Sequence, residues 1–74
     1  MKKLSELKAG MSGKIDSIHG NPHFQSRIAS VGLTPGSIVE VIQNEKKRPL
    51  LLYIRSTLLA VNREDCSLID AEVM

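Results

Sequence analysis

The segment Gly32-Leu33-Thr34-Pro35-Gly36 separates two hydrophobic periods that cannot belong to one element, and that division limits what the chain can fold into. Before it, Phe24, Ile28 and Val31 recur at i, i+4 and i+7, the spacing of one helix face. After it, Val39 and Val41 alternate with Ile38, Glu40 and Ile42, the spacing of a strand. Gly32 falls where a helix ends on a residue at positive φ, a conformation glycine adopts without a Cβ clash. Leu33 is placed to fold back onto the apolar stripe, and Thr34-Pro35-Gly36 reads as a tight turn, with proline fixing φ and glycine relieving the next position. A short helix is therefore expected to pack hard against the start of a sheet.

The remaining segments supply the sheet. Leu4 and Leu7 lie one helical turn apart and predict a short apolar plug. Gly10 to Gly13 leads into a first strand over Lys14–His19, whose Ile15 and Ile18 break strict alternation and predict a bulge or a strong bend. Asn21 followed by Pro22 reads as an N-cap with proline at the first helical position, so the helix is expected over 22–31. If 38–43 and 50–55 form a hairpin, Val41 faces Leu52 and Val39 faces Ile54 on one side. On the other, Ile42 faces Leu51, Glu40 faces Tyr53, and Glu40 lies diagonal to Arg55. A second turn at Ser56-Thr57 sets Ile54 opposite Leu59 and Leu52 opposite Val61, with every inward position apolar; a one-residue slip would turn them all outward. Asn62 is read as the cap of a helical turn through Cys66, and Ile69, Ala71 and Val73 as a last alternating strand. The expectation is a mainly β fold: a small five-stranded barrel, one short α-helix between strands 1 and 2, and a helical turn before the last strand.

Seventy-four residues make one domain over 1–74, with 42% hydrophobic residues supplied almost wholly by Leu, Ile and Val. A single cysteine, Cys66, excludes an internal disulfide and fits a reducing compartment. The charged N-terminus is followed by no apolar run, and the longest such run, Leu50 to Ile54, is far below the ~20 residues of a membrane helix. A soluble, cytoplasmic protein is expected.

The arrangement of Arg27 and Ile28, Gly32-Leu33, Pro35-Gly36 and the Val39-Glu40-Val41 strand resembles the FeoA family. So do Leu4 to Gly10, the strand from Gly13 to Ile18, and the segments around Leu50–Ile54, Leu58–Asp65 and Ser67–Ile69. The resemblance runs nearly end to end, and its specificity lies in the order of the pieces. It implies an SH3-like barrel acting as a non-enzymatic cytosolic accessory of ferrous-iron uptake. Its partner would be the cytosolic GTPase portion of a FeoB-type transporter, and the barrel itself would bind neither iron nor nucleotide. Similar SH3-like domains follow a DNA-binding region in iron-dependent repressors; no helix-turn-helix is visible here, so a free-standing protein is expected.

The residues themselves offer little chemistry. His19 and His23 are four apart but separated by Gly20-Asn21-Pro22, with no third ligand nearby, so they read as solvated loop histidines and no metal site is expected. Cys66 lacks a visible base or oxyanion site and reads as a small buried apolar residue. No paired carboxylates or phosphate loop is present, so neither catalytic residues nor a cofactor are expected. Lys46, Lys47 and Arg48 read as a solvated hairpin tip whose charge discourages aggregation, the sharper alternative being an electrostatic contact with an acidic partner or a phosphate backbone. Parity leaves Ile38, Ile42, Leu51, Tyr53 and Leu58 facing away from the core. Either the helix and plug bury them, or they form an apolar patch of the kind that binds a partner. Candidate contact residues, chosen for exposure and chemistry, are Arg27, Tyr53, Arg55, Lys46, Lys47 and Arg48; Phe24, Ile28, Val31, Gly32, Leu33, Pro35 and Gly36 are assigned structural roles. Nucleic-acid binding is the second class considered. One Tyr, one Phe and no Trp supply few stacking platforms for it, and the net charge of +2 is mild. Oligomeric state is open.

Overall fold

In the computed structural model, which describes residues 1–74, the change of period at Gly32 is made by two consecutive hydrogen-bonded reversals. Helix α1 spans Pro22–Ser30, and the Asn21 side chain accepts from the Phe24 N–H at 2.8 Å. At the other end the Gly32 N–H donates to the Ala29 carbonyl (3.0 Å) and the Leu33 N–H to the Ile28 carbonyl (3.2 Å). With Gly32 at φ 99°, this is a Schellman cap, and Leu33 is fully buried. The next turn follows at once: the Ser37 N–H donates to the Thr34 carbonyl at 3.0 Å, with Pro35 second and Gly36 at φ 92° third, a type II turn.

That turn is pinned to the first long strand. The Gly36 N–H donates to the Ile15 carbonyl and the Ile15 N–H to the Ser37 carbonyl, both at 2.8 Å. The strands are β1 (Lys2–Lys3), β2 (Ser12–Ile18), β3 (Ile38–Gln43), β4 (Leu50–Ile54), β5 (Thr57–Val61) and β6 (Ile69–Val73). They form one antiparallel sheet in the order β1-β6-β2-β3-β4-β5. A 3₁₀ turn at Leu4–Glu6 follows β1, and α2 spans Arg63–Cys66. The mainly β fold is thus as expected, with two amendments. Lys2-Lys3 adds a sixth strand, so the helix lies between the second and third strands. The sheet is also not closed by a ladder from β5 to β1, which leaves the barrel open. No helix is long and apolar enough to cross a membrane.

One face of the sheet buries Ile15, Val39, Val41, Leu50, Leu52, Ile54, Ile69 and Ala71, which share a core with Phe24 and Ile28 of the helix, Leu33 after its cap, and Leu4 and Leu7 of the N-terminal plug. Of the bulge or bend expected in the first long strand, the structure has the bulge: the β2–β6 register shifts between Ile15 and Ser17. The strand itself begins two residues earlier than expected and ends at Ile18.

Four expectations are corrected. Val31 is 45% exposed, because the helix stops at Ser30 and Leu33 fills the space that a continued helix would have given Val31. In the β3–β4 hairpin Val41 faces Leu52 and Glu40 faces Tyr53 as read, but a bulge after Val41 makes Gln43, not Ile42, the partner of Leu51. The β4–β5 turn is Arg55-Ser56, with φ of 50° and 63°, so Leu52 faces Leu59 and Leu50 faces Val61. This register differs from the expected one by two residues, which preserves inward parity. It places two unbranched residues in the left-handed region and spares β-branched Thr57. Finally, Asn62 precedes α2, but its side chain makes no capping hydrogen bond.

Two substitutions test this packing. Ile28→Gln puts an amide in a fully apolar layer, at a cost of about 3 kcal/mol or more. That is comparable to the net stability of ~3–5 kcal/mol expected of so small a core, so the variant is expected to be unfolded by circular dichroism. An unchanged melting temperature would contradict the core assignment. Gly32→Ala adds a Cβ that meets nothing within 4 Å. Its cost is therefore purely conformational, about 1–2 kcal/mol, and should lower the melting temperature by about 4–16 °C.

Candidate interaction surface

Strands β3, β4 and β5 turn their other faces to solvent, and there the apolar residues stay uncovered. Tyr53 sits directly opposite Leu58 on one side and Glu40 on the other. Ile38, one outward position from Glu40, completes a diagonal row. Ile38 is 55% exposed, Tyr53 42% and Leu58 56%; Ile42 is also exposed, and Leu51 is half-buried beside exposed Ala60. Phe24, Ile28 and Leu33 of the helix segment and Leu4 and Leu7 of the plug are spent on the core, and Ile38, Tyr53 and Leu58 stay exposed. Of the two alternatives left by parity, the structure selects the exposed patch.

The basic candidates lie around this face rather than on it. Arg55 is in the β4–β5 turn, not on the strand diagonal to Glu40, and its guanidinium donates to Ser37 Oγ at 3.4 Å. Arg27, on α1, pairs with Asp65 at 3.2 Å and lies over the Phe24 ring at 5.5 Å. It borders a groove of about 180 Å³ between α1 and β5, lined also by Ile28, Val31, Ala60 and Val61. Lys46, Lys47 and Arg48 are exposed at the β3–β4 tip. Lys47 and Arg48 share with Asn62 and Arg63 a shallow cleft of about 430 Å³.

The tip is not the free loop its composition suggests. The Asn44 side chain donates to the Leu7 (2.6 Å) and Ser5 (3.0 Å) carbonyls, fastening the end of β3 to the N-terminal plug. Arg63 donates to the carbonyls of Glu45 and Arg48, holding the loop from the other side, while its Nε is buried without a partner. Neither residue carries a local sequence signal for this role, since their partners lie 15 to 39 positions away. A strand-ending asparagine and a capping-turn arginine are common in loops of every kind.

His19, His23 and Cys66 are not brought together, and no group of three or more His, Cys, Asp or Glu is arranged to hold a metal ion. His19 is exposed but not merely solvated: its Nε2 donates to Asp70 Oδ2 at 2.7 Å, and Ser17 Oγ donates to the same oxygen at 3.2 Å. A catalytic serine triad uses the imidazole as a bridge, one nitrogen to each neighbour. Here the same nitrogen approaches both groups, so the trio is a tie between β2 and β6. The His19 hydrogen bond, helped by Ser17 and opposed by partial desolvation, holds the Asp70 carboxyl below its ordinary value. Cys66 is fully buried, and burial, reinforced by Asp65 and offset by Arg63, pushes its thiol up to about 12.

The family model described as "FeoA domain" matches residues 2–73. The chain belongs to the FeoA family. Solved structures agree in fold. An iron uptake regulatory protein (FeoA) superposes with a TM-score of 0.93 at 22% identity, over 97% of this chain and 96% of its own. Stenotrophomonas maltophilia FeoA, described as complexed with zinc and as an SH3 domain protein, gives 0.82 at 22% identity, over 97% and 91%. A manganese-dependent transcriptional repressor gives 0.91 at 17% identity, over 99% of this chain but 36% of its own. Comparison of the sequence with curated proteins gave no match. The family is associated with ferrous-iron transport, and the SH3-like architecture expected for this FeoA chain is the one observed.

Two titrations follow. Because the Asp70 carboxyl is lowered in the folded state, its contribution to stability is complete above its ordinary value of 3.8 and is lost as pH falls through the lowered one. Asp70→Asn should therefore flatten the acid limb of stability against pH, and an unaltered limb would exclude the tie. Cys66 should be unreactive toward a disulfide reagent at pH 8 in the native protein and react fully once denatured. Native reactivity would contradict its burial.

Proposed function

We propose that this FeoA protein is a single-domain cytosolic adaptor of ferrous-iron uptake that docks onto the cytosolic GTPase portion of a FeoB-type transporter. The observation that carries this reading is the row Ile38, Tyr53 and Leu58, apolar, contiguous and exposed on the outward side of β3–β5. A domain this small gains nothing in its own stability from three large apolar groups in water. Such a patch is what a binding surface leaves visible when its partner is absent. Tyr53 combines a broad apolar ring with a hydroxyl and is the natural anchor of the contact. Arg55, Arg27 and the Lys46–Arg48 tip surround it as a polar rim, serving orientation and encounter rate more than affinity.

The test is capture of the purified cytosolic domain of the transporter on the immobilised protein, with and without guanine nucleotide. Wild type should retain the domain. Leu58→Asp, which also removes the cross-strand contact with Tyr53 and so costs the fold about 1 kcal/mol, should lower capture at least tenfold while the protein stays folded by circular dichroism. Equal capture by the variant would move the contact off this face, and no capture by wild type would reject the adaptor reading. A salt-titrated RNA binding assay covers the second class: tight binding that collapses as salt rises would favour nucleic acid instead.

A further inference from the structure

The two edges of the sheet are treated very differently. One edge, β1, is two residues long and consists of Lys2-Lys3, the kind of short, charged edge that refuses another strand. The opposite edge, β5, is Thr-Leu-Leu-Ala-Val over 57–61, with no charge, proline or bulge in it. Because Arg55-Ser56 is a two-residue turn, Ile54 and Thr57 form the hydrogen-bonded pair that closes the hairpin. The alternation then directs the amides of Thr57, Leu59 and Val61 toward β4. The N–H and C=O of both Leu58 and Ala60 point away from the sheet. No strand lies beyond β5, and none of the backbone hydrogen bonds outside the helices and strands involves Leu58 or Ala60.

We infer that β5 is a strand-accepting edge that takes an extended peptide flanked by carboxylates, paired through Leu58 and Ala60. Charge around the edge selects the occupant. Arg55 stands at the start of β5 and Arg63 just past its end; Arg27 lies in the groove beside Ala60 and Val61, and Lys47 and Arg48 lie in the cleft that meets that groove at Asn62. Asp65 is already paired with Arg27, and Glu45, in the hollow beside Leu51 and Ala60, with Arg48; this leaves Glu64 as the unpaired acid in the cleft and Arg55, Arg63 and Lys47 as the unpaired cations. An uncharged strand edge with cations at both ends matches a segment whose middle alternates and whose ends are acidic. The added strand would place its outward side chains beside Leu58 and extend the row begun by Ile38 and Tyr53, so strand addition and apolar contact would reinforce each other. A second copy of the chain fits less well. Antiparallel pairing of Leu58 with the other copy's Ala60 sets Arg55 of one chain against Arg63 of the other. The strand-accepting property itself does not depend on the transporter reading.

The test uses the full chain and a probe made of a Val-Thr-Val-Thr-Val core with a pair of glutamates at each end, beside a twin carrying lysines instead. Amide hydrogen exchange by NMR should show Leu58 and Ala60 unprotected in the free protein and protected at least tenfold by the acidic probe, with binding at least tenfold weaker for the lysine twin. Ala60→Pro removes an outward N–H without touching the β4 ladder and should abolish probe binding with the spectrum otherwise native. Protection of the two amides before any probe is added, equal binding of both probes, or binding that leaves the two amides unprotected would each overturn the proposal. Concentration-dependent protection in the free protein would overturn it in favour of a second copy. If the transporter domain binds wild type and Ala60→Pro alike, the edge is not the transporter's site and the adaptor reading stands. If the domain binds neither, the adaptor reading fails and the probe still decides the edge.

Discussion

The hydrogen bond from the Leu33 N–H to the Ile28 carbonyl, closed over Gly32, fixes how the helix meets the sheet. It reverses the chain within one residue and drives Leu33 under the helix, where burial of its side chain is worth about 1.5–3 kcal/mol. The type II turn that follows is stitched to Ile15 on both its amide and carbonyl sides, so the entry to β3 is held in register with β2. Everything downstream inherits that alignment. Val39 and Val41 point inward because Ser37 is fixed, and Ile38 points outward for the same reason.

The outward row therefore follows from the inward one. In a strand with one face buried, parity leaves no freedom on the other face. Apolar residues at Ile38, Tyr53 and Leu58 are exposed because their neighbours fill the core, and the helix spends its apolar side chains Phe24 and Ile28 on that core. The site and the scaffold share the same three strands. Asn44 and Arg63 add rigidity by tying the β3–β4 loop to the plug and to α2, which keeps the face from flexing at its open end. A surface built on strands is held more tightly than one built on loops, which suits a contact made by shape rather than by a charged tether.

Much of this was legible in the residues. The change from a period of four to a period of two, the glycine at the junction and the proline beside it gave the helix, its end and the following strand nearly to the residue. Alternation gave the buried set in β3, β4 and β6 and the bulge near Asp16. Where the reading failed, it did so for identifiable reasons. Val31 fits the helical spacing, yet the cap ends the helix one residue too soon for that spacing to apply. The β4–β5 register was displaced by two because hydrophobic parity is blind to even shifts. The choice then falls to the turn, where the strain of Thr57 at positive φ outweighs the ordinary unsuitability of Arg55 and Ser56.

Sequence alone determined the fold class, the helix-to-strand junction and which faces of the strands are apolar, because these depend on local conformational preference and on periods counted over a few residues. Only the tertiary structure decided that the outward row stays bare, that the barrel is left open at β5, that His19 is tied to Asp70, and that Asn44 and Arg63 clamp the basic tip. Each of these is a contact, or the lack of one, between segments far apart in the chain. Such relations carry no local signature, since the energy that selects them exists only once the sheet has brought the segments together.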